Sequence, residues 1–341
     1  MLSTHLLKLV LVFTFVFLFV FVNVSGSEPF LHLDYYNKSC PRVLNVVRRE
    51  MECAVLADPR NAAIILRLHM HDCFVQGCDA SVLLDDTLTL KGEKKAAENI
   101  QSLRGYKIMD RLKLMVESEC PGVVSCADIL AIAARDAVIL VGGPYWDVPL
   151  GRKDARSASY ELANANLPGA NEGIVSIISK FVSLGLSVTD MVALSGAHTI
   201  GMAQCKNFRT RIYGDYGTTS AKSPISESHL STVRSVCPAI GGDRNISSLD
   251  YVTPRLFDNS YYQLLLTGEG LLNSDQEMYS SLLGIETRNL VQEYAEDPLQ
   301  FFKQFAESMV KMGNITNAGS FSNGEVRMNC RFINSLSHSD D

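Results

Sequence analysis

Basic clusters, low-complexity linkers and internal repeats are all missing from this chain of 341 residues. With no lysine or arginine cluster and a formal net charge of −6, nucleic acid is a poor partner, because it demands a basic footprint. Without linkers or repeats, one large unit fits the length better than a string of modules. Strand patterns are equally scarce: residues 148–150 and a few positions near Phe321 and Val326 are the only short candidates. Long apolar runs occur once. Leu9 to Val22 is apolar except for Thr14, preceded by His5 and Lys8 and followed by Ser25-Gly26-Ser27. That run falls short of the ~20 residues a membrane span needs, and the order of its parts is that of a secretory signal peptide. The expected organisation is a signal peptide over residues 1–27 and one domain over 28–341, with no span in the mature chain. Cleavage near Ser27 would remove Lys8 and move the net charge from −6 to −7.

Cysteine, by contrast, is plentiful. Nine cysteines in a secreted chain imply a disulfide framework with one left over, and spacing alone does not choose the odd one. Sequons at Asn37, Asn245 and Asn314 are candidate glycan sites. Helical spacing of apolar residues dominates, so the fold class is mainly α. It predicts helices over residues 41–57, 61–71, 106–118, 126–141, 172–184, 189–195, 259–266, 286–296 and 299–312. Residues 85–104 and 160–171 read as loops, the second centred on Pro168.

The stretch Arg67-Leu68-His69-Met70-His71-Asp72-Cys73-Phe74-Val75-Gln76-Gly77-Cys78-Asp79-Ala80-Ser81 concentrates the chemistry. On a helix, Arg67 and His71 share a face with Met70 beside them, and His69 points nearly the opposite way. A fixed cation beside a histidine suits proton transfer to an intermediate that develops negative charge. Asp72, Asp79 and Ser81 then offer hard oxygens at short spacing, which suits calcium. A core histidine with a structural arginine, or a zinc pair from His69 and His71, are the alternatives; zinc needs both rings on one face. Further on, His198 sits between Gly196 and Gly201, where glycines allow close approach. Together, these two places suggest a metal centre held by His198 on one side and served by Arg67 and His71 on the other.

In these motifs the chain resembles the secretory plant peroxidases, the class III haem peroxidases, from about Phe30 to Cys330. The Arg67 stretch matches the family's distal signature except at Met70. Asp190-Met191-Val192-Ala193-Leu194-Ser195-Gly196-Ala197-His198-Thr199-Ile200-Gly201 matches the proximal one. Val124-Ser125-Cys126-Ala127-Asp128, Gly142-Gly143-Pro144, Leu150-Gly151-Arg152-Lys153-Asp154, Ala165-Asn166-Leu167-Pro168 and Phe257-Asp258-Asn259-Ser260-Tyr261-Tyr262 match as well. The resemblance implies a mostly helical single domain whose distal and proximal halves enclose haem b, with hydrogen peroxide and small phenols as substrates. It also implies one haem and two calcium ions per chain, a monomer, and residence in the cell wall or extracellular space. No Cys-x-x-Cys-His is present to attach the haem covalently.

Roles follow residue by residue. The resemblance makes His198 the axial iron ligand and Asp275 the carboxylate that holds its other nitrogen. His71 becomes the acid–base group, Arg67 the stabiliser of developing charge, and Asn99 the partner that keeps the iron-facing nitrogen of His71 free. Pro168 would help bind the aromatic donor. The first calcium would take Asp72, Val75, Gly77, Asp79 and Ser81, with Glu93 reaching it through water. The second would take Thr199, Asp250, Thr253, Leu256 and Asp258. Bridges are expected at Cys40–Cys120, Cys73–Cys78, Cys126–Cys330 and Cys205–Cys237, leaving Cys53 as a free thiol, expected to be buried. Three departures bear on donor choice: Met70 stands where the family carries Phe, Glu98 where it carries Pro, and Ala97, Asn171 and Asn207 where some members carry aromatics at the haem edge. A secreted calcium-binding glycoprotein without the chemistry would be expected to lose one of Arg67, His71, Asn99, His198 or Asp275, and all five are present.

Overall fold

The chain buries its apolar residues on helix after helix. In the computed structural model the described residues are 31–214, 225–316 and 322–334. They contain thirteen α-helices: α1 (Val43–Ala57), α2 (Arg60–Gln76), α3 (Tyr106–Glu119), α4 (Cys126–Leu140), α5 (Tyr160–Asn166), α6 (Ile174–Ser183), α7 (Val188–Ser195), α8 (Arg209–Tyr213), α9 (Glu227–Val236), α10 (Ser260–Thr267), α11 (Asn273–Ser280), α12 (Ile285–Glu296) and α13 (Pro298–Gly313). The expected signal peptide and its cleavage point lie outside the described residues, as do Phe321 and most of the tail after Cys330. Among the described residues, no single helix is long and apolar enough to cross a membrane.

Helix α4 is the centre of the first half. Residues 126–138 are buried without a break, so it needs neighbours on every side, and α1, α2 and α3 pack around it. Its start is fixed by charge. Ser125 caps it by accepting from the Asp128 N–H, and the Asp154 carboxylate accepts from the N–H groups of Cys126 and Ala127 at 3.0 and 2.9 Å. Asp128 is itself buried and satisfied by Arg152 Nη1 at 2.9 Å, the Tyr36 hydroxyl at 2.8 Å and the Gly151 N–H at 2.8 Å. A second, smaller core gathers Ala203, Phe208, Ile212, Val233 and Leu271 around the Cys205–Cys237 bridge.

The other expected bridges form too: Cys40–Cys120, Cys73–Cys78 and Cys126–Cys330. The last closes a separation of 204 residues, and closing so long a loop strongly restricts the unfolded chain. Asn37, Asn245 and Asn314 are all exposed.

Four expectations need correction. The segment read as a loop from residue 160 begins with α5, because Ser159 caps it and its interior residues favour a short helix once Ala163 has a core to meet. Helices α8, α9 and α11 are not among the expected ones: α8 has only five residues and α11 is mostly polar, whereas α9 does carry a helical stripe around His229 and Val233. The expected strands reduce to isolated bridges at His32–Leu150 and Asp154–Glu325, whereas a two-stranded antiparallel sheet pairs β1 (Met202–Gln204) with β2 (Ile246–Ser248). Finally, Cys53 is free but exposed, not buried. The buried stripe of α1 is Val43, Val47, Met51 and Val55, and a residue midway between the last two turns toward the opposite face. A thiol-specific maleimide should therefore label about one cysteine per chain in the native protein, without denaturant, and peptide mapping should place it at Cys53. Labelling that needs unfolding would return Cys53 to the core.

Candidate active site and metal cradles

Helix α2 places Arg67 and His71 on one face, as their spacing requires. His71 is buried, and its Nδ1 lies 2.6 Å from the Asn99 Oδ1. The orientation of that amide is fixed, since Asn99 Nδ2 donates to the Glu93 carbonyl at 2.9 Å. Its oxygen is thus the atom facing the ring, so Nδ1 carries the proton and Nε2 is a bare base. Burial and then the Arg67 charge push the His71 pKa well below the ordinary histidine value, against the pull of Asn99. Arg67 is held by Nη1 to Ser102 Oγ at 2.9 Å and by Nη2 to the Glu98 carbonyl at 2.8 Å. Burial lowers its pKa, yet a guanidinium stays charged throughout the working range. Met70 is half-buried against the main core.

The end of α2 turns through Gly77 (φ 86°) and is closed by the Cys73–Cys78 bridge. His69 packs on that bridge, with Nδ1 3.7 Å from Cys73 Sγ. Both sulfurs are oxidised, so His69, Cys73 and Cys78 hold no thiolate for a metal, and His71, the partner a His69 zinc pair would need, does not join that cluster.

Beyond the bridge, Asp72, Asp79, Ser81 and Glu93 are all buried, and the charges of Asp79 and Glu93 both act on Asp72. Asp72 Oδ2 accepts from the Ala80 N–H at 2.9 Å, and Asp79 Oδ1 from that of Ser81 at 3.0 Å. Ser81 Oγ and Glu93 Oε2 have no partner. Burial first, then the charge of Asp79, drives the Asp72 pKa well up, and burial takes Glu93 up to about 8. A buried orphan oxygen costs about 1–3 kcal/mol, so two of them beside repelling carboxylates suit a hard cation. The residues present fit calcium. Val75 and Gly77 stand on the same turn.

The second cradle shows the same deficit by counting protons. Thr199 Oγ1 lies 3.2 Å from Asp250 Oδ2 and 3.0 Å from Asp258 Oδ1. Thr253 Oγ1 lies 3.1 Å from each of the same two oxygens. Two hydroxyl protons cannot serve four such contacts, and converging oxygens short of protons again suit calcium. Leu256 follows within the same turn, its N–H bonded to the Thr253 carbonyl at 3.0 Å.

Between these cradles in sequence, α7 leads into His198. The helix is set by a capping box between Ser187 and Asp190. Its far end runs into Gly196, where a side-chain carbon would collide with the Tyr262 hydroxyl and the Phe301 ring, so glycine is required by close approach. His198 Nδ1 then lies 3.0 and 3.2 Å from the two oxygens of Asp275. Its ring keeps 39% of its side-chain surface accessible, with Nε2 left for a ligand. Burial pulls its pKa down, but the charge and hydrogen bond of Asp275 outweigh that and leave it raised; the Arg67 charge acts against them. Arg67 is therefore within electrostatic reach of both histidines. An imidazole with a free Nε2 and a carboxylate on Nδ1 suits haem iron. Pro168 is half-buried just past α5.

Sequence reasoning missed two members of this network. Tyr261 donates its hydroxyl to Asp275 Oδ1 at 3.0 Å, and Tyr262 donates to the Val192 carbonyl at 2.8 Å. Both lie in the motif that begins at Phe257, where the signal was visible without an assigned role. Burial and then Asp275 hold the Tyr261 pKa well up, so it stays protonated.

A family model described as Peroxidase matches residues 47–297. Peroxidase 11 of Arabidopsis thaliana is 67% identical over 311 residues, covering 91% of this chain and 93% of that protein. Peroxidase 9 of the same plant is 49% identical over 304 residues, 89% of this chain and 87% of its own length. Peroxidase N of Armoracia rusticana is 49% identical over 302 residues, 88% and 90% of the two chains. Likeness of that extent, over a mainly helical fold, means that the chain belongs to the peroxidase family and is a haem peroxidase of phenolic donors, with haem b and calcium as its cofactors.

Proposed function

We propose that the reaction is divided between the two histidines according to what each Nδ1 touches. The single observation that carries this reading is the pairing of His71 with a neutral amide and of His198 with a carboxylate. His198 would hold the haem iron, and haem would supply the electrons that cleave the peroxide O–O bond and take them back singly from the donor. His71, neutral and bare at Nε2, takes a proton from one peroxide oxygen and returns it to the departing one, which leaves as water. Arg67, fixed by Ser102 and the Glu98 carbonyl, offsets the negative charge that develops as the bond breaks. Asn99 holds the His71 tautomer. Pro168 offers its carbonyl to the aromatic donor.

Asp72, Val75, Gly77, Asp79 and Ser81 would hold one calcium, with Glu93 behind a water, and Thr199, Asp250, Thr253, Leu256 and Asp258 the other. Asp72 adjoins His71 and Thr199 adjoins His198, so each ion braces a histidine. The N-terminal apolar run acts as a signal peptide, the bridges and exposed sequons suit an oxidising exterior, and the mature chain works as a monomer in the cell wall or extracellular space.

Replacing His71 by alanine should slow the reaction with peroxide by at least ~10²–10⁴, the range acid–base groups supply. Haem should still bind through His198. Stopped-flow decay of the resting haem spectrum on mixing with peroxide is the measurement, and a rate within a few-fold of wild type would remove His71 from the role. In the wild type the same rate should stay flat as pH falls through 6.5, because the lowered pKa keeps His71 neutral there. A titration centred on 6.5 would contradict that environment.

Calcium removal should carry its own pH signature. In the ion-free protein Glu93 has its folded pKa raised from 4.5 to about 8, so the folded state binds the extra proton. Its stability is then fully present at low pH and is lost as pH rises through about 8. Chelated protein should therefore melt at progressively lower temperature between pH 5 and 8, with lost activity restored by added calcium. Protein free of metal by elemental analysis, yet with full activity and a melting temperature flat over that range, would show the cradles do not need an ion.

A further inference from the structure

We propose that Tyr261 is a positioning residue for the haem reaction: its hydroxyl, by donating to Asp275, limits how strongly that carboxylate draws on the His198 Nδ1 proton. This rests on the reading of His198 as the iron ligand. The geometry is shared at one atom. Asp275 Oδ1 accepts from Tyr261 at 3.0 Å and lies 3.0 Å from His198 Nδ1. A carboxylate oxygen that already accepts one hydrogen bond is a weaker acceptor for a second, since part of its charge is neutralised. His198 then keeps more of its Nδ1 proton, is less imidazolate-like, and offers less electron density at Nε2.

The surroundings leave this effect to Tyr261. Among the described residues, it is the only hydroxyl donating to the Asp275 carboxylate. The nearby Arg211 feels the charge of Asp275, but its guanidinium is committed elsewhere: to the Gly270 carbonyl at 2.6 Å, the Gly268 carbonyl at 2.8 Å and Gln276 Oε1 at 3.4 Å. Asp275 is buried, so water does not replace the missing donor freely. The Tyr261 ring is also edge-on to His198, with centroids 6.1 Å apart and planes at 85°, which keeps the hydroxyl from drifting off the shared oxygen. The adjacent Tyr262 does different work. Its hydroxyl goes to the α7 backbone at Val192 and its edge packs on Gly196. One tyrosine thus fixes where His198 stands, and its neighbour tunes what His198 gives to the metal.

The test is Tyr261→Phe in the haem-loaded full chain, which deletes one oxygen and keeps the ring against His198 and Tyr262. In the ferrous protein, the iron–histidine stretching frequency read by resonance Raman should rise, and the Fe(III)/Fe(II) midpoint potential should fall. A merely structural hydroxyl would move neither. In an Asp275→Asn background the same change should move neither quantity, because the carboxylate through which Tyr261 acts is gone. An unmoved frequency and potential, shifts of the opposite sign, or equal shifts in both backgrounds would overturn the proposal. Absence of an iron–histidine mode in the wild type, or its survival in His198→Ala, would instead bring down the assignment of His198 and this inference with it.

Discussion

The hydrogen bond on the second nitrogen of each histidine is what the rest of the site depends on. Arg67 presents one fixed positive charge to both rings and lowers the pKa of both. On the distal side the answering group is Asn99, which has no charge to set against burial and Arg67, and His71 ends well below its ordinary value. On the proximal side Asp275 brings a full negative charge, and His198 ends above it. The same cation acting on the same ring type thus yields a free base on one side and an electron-rich ring on the other. Exchanging Asn99 and Asp275 would exchange those characters, because neither is intrinsic to imidazole.

Holding those partners in place costs burial of charge, and the two oxygen cradles are where that cost collects. Asp72 immediately follows His71, and Glu93 offers the backbone carbonyl that orients Asn99. The carboxylates that repel one another are therefore on the same short segments that aim the distal histidine. A cation that relieves their repulsion necessarily stiffens that aim. On the proximal side Thr199 plays the corresponding part, tying the residue after His198 to Asp250 and Asp258. Each oxygen cradle is thus joined to a histidine through the backbone, one residue away.

Much of this was legible in the sequence, for a definite reason. Helices with an apolar stripe, such as α1, α3 and α13, announce themselves by spacing, and the Arg67–His71 face follows from the same arithmetic. What spacing could not convey is which polar atoms share a partner. Tyr261 and Asp275 are 14 residues apart and His198 a further 77 from Asp275, so their meeting at one oxygen is a tertiary fact. Helix α11, which carries Asp275, is polar along most of its length and is held by what it touches, not by amphipathicity. Cys53 shows the opposite case. The apolar character of a thiol suits a core, but the register of Val43, Val47, Met51 and Val55 turns this one outward.

One departure from the expected pattern, Glu98, falls where that network can tolerate it. Glu98 stands where proline is usual, and what Arg67 uses there is the backbone carbonyl, which any residue supplies. The substitution therefore keeps the arginine in place while adding a half-buried carboxylate. A side-chain carbon on Gly169, next to Pro168, would meet oxygens of both Glu98 and Glu172 at 3.4 Å. Burial raises the Glu98 pKa, with Arg67 and Lys206 pulling it back down. Lys180 is already committed to Glu172 and the Leu167 carbonyl. Acid thus gathers beside the position proposed to hold the donor. A change at position 98 keeps the backbone carbonyl that anchors Arg67, so it reaches the distal histidine only indirectly, through the charge the Glu98 carboxylate sets beside that arginine.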